Sequence, residues 1–369
     1  MNRLFRWDQM GLFLLALAAG ILPFAVPEVC AAALREGLTL CSGPLLLSLF
    51  PFLVVSRLLV QCPESDLLAL PFRLAAWGIG IRTPCAARVL CIGFLGGFAP
   101  AASAAAQAVR TGQLTAEEAD ALLPACICSG PSFVVLTVGQ SLLGSAELGV
   151  LLFASQITAN YLTAALLNRF AGVRSVKPGS AAPASPAPPR LDEILADAAI
   201  TYCKLCGFIL FFRMLAAGAG ALLPAGAGTL CAILLEVCSG CDLASRTGRW
   251  GSLLCCAALS VQGLSVLLQV RTICPPEMTL RPLYRSRWLH LPLSLALFYL
   301  LLPGGEADVF STLPARVLLM RRVSPDCALL VFAVCCMAAC TLRSGIRQVE
   351  QKQMARNAGG CCINSKTLL

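Results

Sequence analysis

The sequence predicts an all-α polytopic membrane protein with about eight full spans plus two re-entrant or broken elements, set in two inverted-topology repeats. Three observations predict it. Of the 369 residues, 58% are hydrophobic and only 13% charged, where soluble chains carry about 25% charged residues. Apolar runs recur along the chain at lengths suited to a bilayer, and the loops between them carry arginines. Two of the runs, 88–109 and 226–237, are short or interrupted and occupy corresponding places in the two halves.

The formal net charge of +9 comes from residues between apolar runs, such as Arg73, Arg82 and Arg88, or Arg281, Arg285 and Arg287. That placement reads as topology and lipid headgroup contact, and no nucleic-acid partner is expected. The chain has 21 cysteines, an odd number that argues against a complete disulfide framework. Many lie inside spans, where cysteine serves as a small apolar side chain. Cys203-x-x-Cys206 and Cys238-x-x-Cys241 have redox or metal spacing, but His290 is the only histidine. No metal or cofactor is expected.

In chain order, residues 1–40 form an N-terminal anchor helix (apolar run 10–26) and a loop, with Arg3 and Arg6 holding the amino end in the cytoplasm. Residues 41–170 form the first repeat. It contains a span at 43–60, a cytoplasmic loop to Arg88, the broken run 88–109, a span at 126–143 and a return span at 148–170. Thr115 and Glu118 have the spacing of a capping box, so a helix should begin near Ala116. Gln156 and Asn160 share one face of the return helix, for bonds across helices or for a cavity.

The Pro- and Ala-rich segment 171–190 is a linker that cannot build a packed core. Residues 191–303 form the second repeat: a span to about Gly218, the short run 226–237, a span at 252–270, a basic loop 271–287 and a span at 288–302. Residues 304–342 hold the C-terminal helices, with the last span at 325–342, and 343–369 are a basic cytoplasmic tail. If 88–109 and 226–237 both cross, the linker and its Arg174, Lys177 and Arg190 fall outside, against the positive-inside rule. If both are re-entrant, the linker is cytoplasmic and the halves acquire opposite orientations. Residues 88–109 are nevertheless long enough to span.

Backbone breaks at membrane depth leave peptide groups unpaired, and these persist only where protein or a watery cavity covers them. The expected solute pathway therefore gathers Gly96, Gly97 and Pro100, then Ser129, Gly130 and Pro131, then Glu236 and Gly240, then Gln262, Gly263, Ser265 and Gln269. An isolated acid costs about 2.5–3.5 kcal/mol at a helix centre, so Glu236 needs a partner or a cavity. Two readings stand: a charge or proton-coupling group, or a structural ion pair with Arg213. Close helix packing at small residues is the simpler account of any single Gly pair.

Five motifs then occur in order: GFLGGFAP (93–100), RTGQLTAEEADALL (110–123), SGPSF (129–133), LLEVCSG (234–240) and GLSVLLQ (263–269). Together they resemble the nucleoside-recognition Gate family, in its branch of sporulation integral membrane proteins of the YlbJ type. The resemblance runs from about residue 45 to 302 and marks the chain as a divergent member. It implies a membrane of the sporulating cell, mother-cell or forespore-surrounding, and a role at the cortex and envelope stage. It also implies a transporter-like core that moves or gates a small solute. The alternative is a non-transporting membrane scaffold, with other sporulation membrane proteins as partners. Where the family carries Gly-Ala-Lys, an Asn-containing run and a His, this chain has Ala101-Ala102, Ala125 to Cys128 and Leu267. Those apolar or thiol groups point away from a nucleoside. No enzyme is expected, since H-E-x-x-H, G-x-S-x-G and P-loop motifs are lacking.

Overall fold

In the computed structural model, residues 2–61, 66–171 and 191–302 are described. Every regular element among them is a helix. The run at the amino end gives α1 (Asn2–Ala25), and Pro27 opens α2 (Pro27–Ser42) from the first-turn position where proline loses nothing. The segment around α2 was expected to be a loop. It is helical because its small residues Cys30, Ala33 and Gly37 pack inward, Gly37 lying directly against Leu210.

Next come α3 (Pro44–Gln61), the short α4 (Leu70–Gly78), α5 (Pro84–Gly96) and α6 (Phe98–Arg110). The predicted capping box starts α7 (Ala116–Cys126): Glu118 N–H donates to Thr115 Oγ1 at 3.1 Å, and Thr115 N–H donates to Glu118 Oε2 at 3.2 Å. A π-helix over Ser132–Leu142 follows, then α8 (Ala146–Ala171). After the linker come α9 (Leu191–Leu222), α10 (Ala225–Leu235), α11 (Val237–Ser245), α12 (Gly251–Val261), α13 (Gly263–Ile273) and α14 (Arg281–Leu301).

The described structure is all-helical, and its apolar helices fit a membrane-embedded protein. Among the described residues four segments are long and apolar enough to cross a bilayer: Pro27–Leu47, Ala146–Ala171, Leu191–Leu222 and Gly248–Ile273. At 1.5 Å per residue, α8 and α9 reach about 39 and 48 Å, beyond the ~30 Å hydrocarbon thickness. Large apolar side chains such as Phe170, Leu230, Tyr299 and Leu300 point outward, as lipid permits. The expected last span at 325–342, the basic tail and linker residues 172–190 lie outside the described residues.

Two expected spans prove discontinuous. The segment expected to cross at 126–143 is broken over 127–131, between α7 and the π-helix, and the segment at 252–270 is broken at Gln262. The run 88–109 divides at Gly97 into α5 and α6, which fold back on each other. A methyl group on Gly93 of α5 would lie 3.2 Å from Ala101 Cβ of α6. In the same way α10 and α11 fold back about Glu236, with Ile233 and Gly240 in contact.

The main core lies where α5, α6, α7, α8, α12, α13 and α14 meet, and a smaller one joins α1, α2 and α9. Between Ala99 and Ala106 every residue of α6 is buried, which identifies it as an interior helix surrounded by protein on all sides. Its alanines let neighbouring backbones approach closely, the packing mode that membrane helices rely on.

Candidate functional site

The first pair of breaks meets through bare backbone. Gly97 sits at φ +81°, ψ −163° between α5 and α6, a conformation essentially confined to glycine. A Cβ on Gly97 would lie 2.7 Å from the nitrogen of Gly130, and one on Gly96 would lie 2.9 Å from Pro100 Cγ. Gly96, Gly97 and Pro100 are therefore brought against the break that holds Ser129, Gly130 and Pro131.

The second pair meets similarly. Gln262 takes a left-handed conformation at φ +66° and Gly263 follows at φ +67°. A Cβ on Gly263 would lie 3.0 Å from Glu236 N. Gly240 is pressed on Ile233, its Cβ position 2.8 Å from Ile233 Cα. One turn further on, Gln269 Nε2 donates to Ser265 Oγ at 2.8 Å. The two pairs abut, because α6 packs on α13 and α11 packs on the π-helix.

Glu236 is buried, but its partner is not Arg213. Its two carboxylate oxygens accept the N–H groups of Cys238 at 2.8 Å and Ser239 at 2.7 Å, capping α11. The carboxylate thus occupies the positive end of the α11 dipole. Arg213 instead pairs with Glu36 at 2.7 Å. The structural ion pair proposed from the sequence is corrected accordingly: α2, unforeseen as a helix, supplies the acid.

A third group lies beside these breaks, where α8, α12 and α14 converge. Arg287 Nη1 reaches the carbonyls of Ile127 and Ser260, each at 3.4 Å, and Nη2 reaches Asn160 Oδ1 at 3.3 Å. Asn160 Nδ2 also donates to Ile127 O at 3.4 Å. Gln156 Nε2 donates to Ser260 Oγ at 2.9 Å, and His290 Nε2 lies 3.2 Å from Gln156 O. Ile127 and Ser260 flank the two discontinuous spans, so this cluster ties both breaks to α14.

Sequence reasoning placed Arg287 in a cytoplasmic loop and gave His290 no role. The signal was present: Arg287, His290 and Ser294 recur at helical spacing, facing the Gln156 and Asn160 stripe. Local arginine density hid it by suggesting a loop. Among the described residues the cysteines are free thiols, and no three His, Cys, Asp or Glu side chains gather as metal ligands. No family model, curated protein or solved structure matches the chain.

Proposed function

We propose that the chain carries or gates a small solute across a bacterial cell membrane, through a core built from the two fold-back elements and the two discontinuous spans. One observation carries the proposal: four interruptions, at Gly97, 127–131, Glu236 and Gln262, lie at interior positions and touch in pairs. Unfinished helix ends are costly in hydrocarbon, so a fold that holds four of them together is using them. The sporulation role at the cortex and envelope stage rests on the five-motif resemblance alone. It predicts a spore defect on deletion in an endospore-forming host.

On this reading residues 41–170 and 191–303 are inverted repeats with both termini cytoplasmic. Support comes from the shared order of parts. A long helix (α3 or α9) precedes a fold-back pair, then a discontinuous span, then another long helix (α8 or α14). Cysteines placed at Ser180 and Ser185, in a background stripped of native cysteines, should label from the cytoplasmic side. Labelling from outside refutes the inversion. Flux of candidate solutes into proteoliposomes tests transport.

The scaffold alternative draws on Glu236, whose two carboxylate oxygens are already engaged by its own helix. It predicts that a Glu236→Ala, Gln269→Ala double variant still supports spore formation while deletions of the linker or tail fail.

A further inference from the structure

Four arginines are buried in the described structure: Arg57, Arg88, Arg213 and Arg287. Three are paired with carboxylates, Arg57 with Asp197, Arg88 with Asp66 and Arg213 with Glu36. Arg287 is 8% exposed and faces only neutral oxygens among the described residues. Its contacts run from 3.2 to 3.4 Å. Charge-assisted N–H···O bonds settle at about 2.7–2.9 Å. Each guanidinium nitrogen has an oxygen partner, but none of those oxygens carries a charge, and a buried charge persists only when something compensates it.

The same cluster contains acceptors without donors. The carbonyl of Gln156 can only accept, so in the neutral imidazole Nε2 of His290 carries the proton and Nδ1 is left as an acceptor. Among the described residues Nδ1 has no partner although His290 is fully buried, and Gln156 Oε1 has none either. Among the described residues one cation lacks an anion while two acceptors lack donors, all within a turn of one another on α8 and α14. The complement of that set is a molecule with one carboxylate and at least one hydroxyl or ammonium group.

We infer that the cluster of Arg287, Asn160, Gln156 and His290 is the recognition site for a small hydroxy or amino acid. The inference rests on the transport reading only for the solute's route, since the site stands on its own geometry. Arg287 takes the carboxylate in its planar fork, and a single cation matches a single negative charge. Asn160 positions the guanidinium, and Gln156 Oε1 and His290 Nδ1 accept from the solute's donor. Contact with Ile127 O and Ser260 O lets occupancy act directly on both discontinuous spans.

The test uses the full chain in lipid nanodiscs, its thermal unfolding measured with lactate, glycine, acetate or methyl lactate against chloride at matched ionic strength. Lactate or glycine should raise the midpoint saturably, acetate less, and the uncharged ester not at all. Arg287→Gln should weaken the response roughly ten- to a hundredfold. Asn160→Asp places a carboxylate within reach of Arg287, so it should raise the midpoint without ligand and abolish the response. No shift with lactate or glycine, an equal shift with the ester, or a response surviving Asn160→Asp overturns the inference. If Arg287→Gln does not fold, Asn160→Asp decides alone. Acid binding without flux in proteoliposomes would defeat the transport reading and leave this one standing. Flux unaltered by Arg287→Gln, with no acid binding, would do the reverse.

Discussion

Gly97→Ala isolates the contact on which the site depends. The native φ of +81° with ψ −163° lies in a region that costs a non-glycine residue about 1–3 kcal/mol. The new methyl group would also stand 2.7 Å from Gly130 N and 3.0 Å from Gly130 Cα, backbone atoms that cannot rotate aside. Overpacking of that kind adds about 1–3 kcal/mol, so the expected loss is roughly 2–6 kcal/mol. Two controls separate the terms. Gly144 has φ +72° with nothing within 4 Å of its Cβ position, so Gly144→Ala should cost only about 1–2 kcal/mol. Gly207 lies inside α9 with open space beside it and no unusual φ, so Gly207→Ala should be neutral or stabilising by up to about 1 kcal/mol. Thermal unfolding of the three purified variants in detergent gives the order. If Gly97→Ala loses no more than Gly144→Ala, the two breaks do not touch as described.

Other outcomes follow from the same geometry. Glu236→Gln keeps an acceptor at the α11 amino end and should lower stability by about 1 kcal/mol. Glu236→Ala strands the N–H groups of Cys238 and Ser239 and should cost about 1–3 kcal/mol for each amide left unpaired. Flux unchanged in Glu236→Gln proteoliposomes would remove the acid from any coupling step. Gly149→Ala puts a methyl 2.7 Å from Val135 Cα, where α8 crosses the π-helix, and should destabilise by about 1–3 kcal/mol in thermal unfolding. An unchanged midpoint would show that this crossing is looser than described. A double-mutant cycle with Arg213→Met and Glu36→Gln should give a coupling of about 1 kcal/mol or less, because the Glu36 side chain is half exposed and screened. A coupling of several kcal/mol would mean that the pair is shielded from solvent.

Much of the architecture was legible in one dimension because its causes are local. Composition and apolar run length reported helices suited to a membrane. Thr115 and Glu118 set the start of α7 through bonds between residues three apart. Gly97 and Gly130 could be marked as candidate breaks because glycine is a poor helix former and each has proline within three residues, whereas Gly149 and Gly207 stand inside continuous helices. That the first break faces the second, and the third the fourth, depends on which helices fold back. No local pattern records that. The segment 252–270 read as one uninterrupted span, since apolar content alone does not show where a helix stops short of closing its hydrogen bonds.

The sequence by itself determined that this chain is helical and apolar enough to suit a membrane, and it marked the interruptions near Gly97, Gly130 and Glu236 but not the one at Gln262. Tertiary structure alone decided the partners of its buried charges: Glu36 for Arg213, the α11 amides for Glu236, and neutral oxygens from three separate elements for Arg287. The physical reason is range. Helix propensity and hydrophobicity act over a few residues, whereas a buried charge is answered by whatever packing brings within about 3 Å. For Arg287 those groups come from positions 127, 160 and 260, a set that exists only once the bundle has closed.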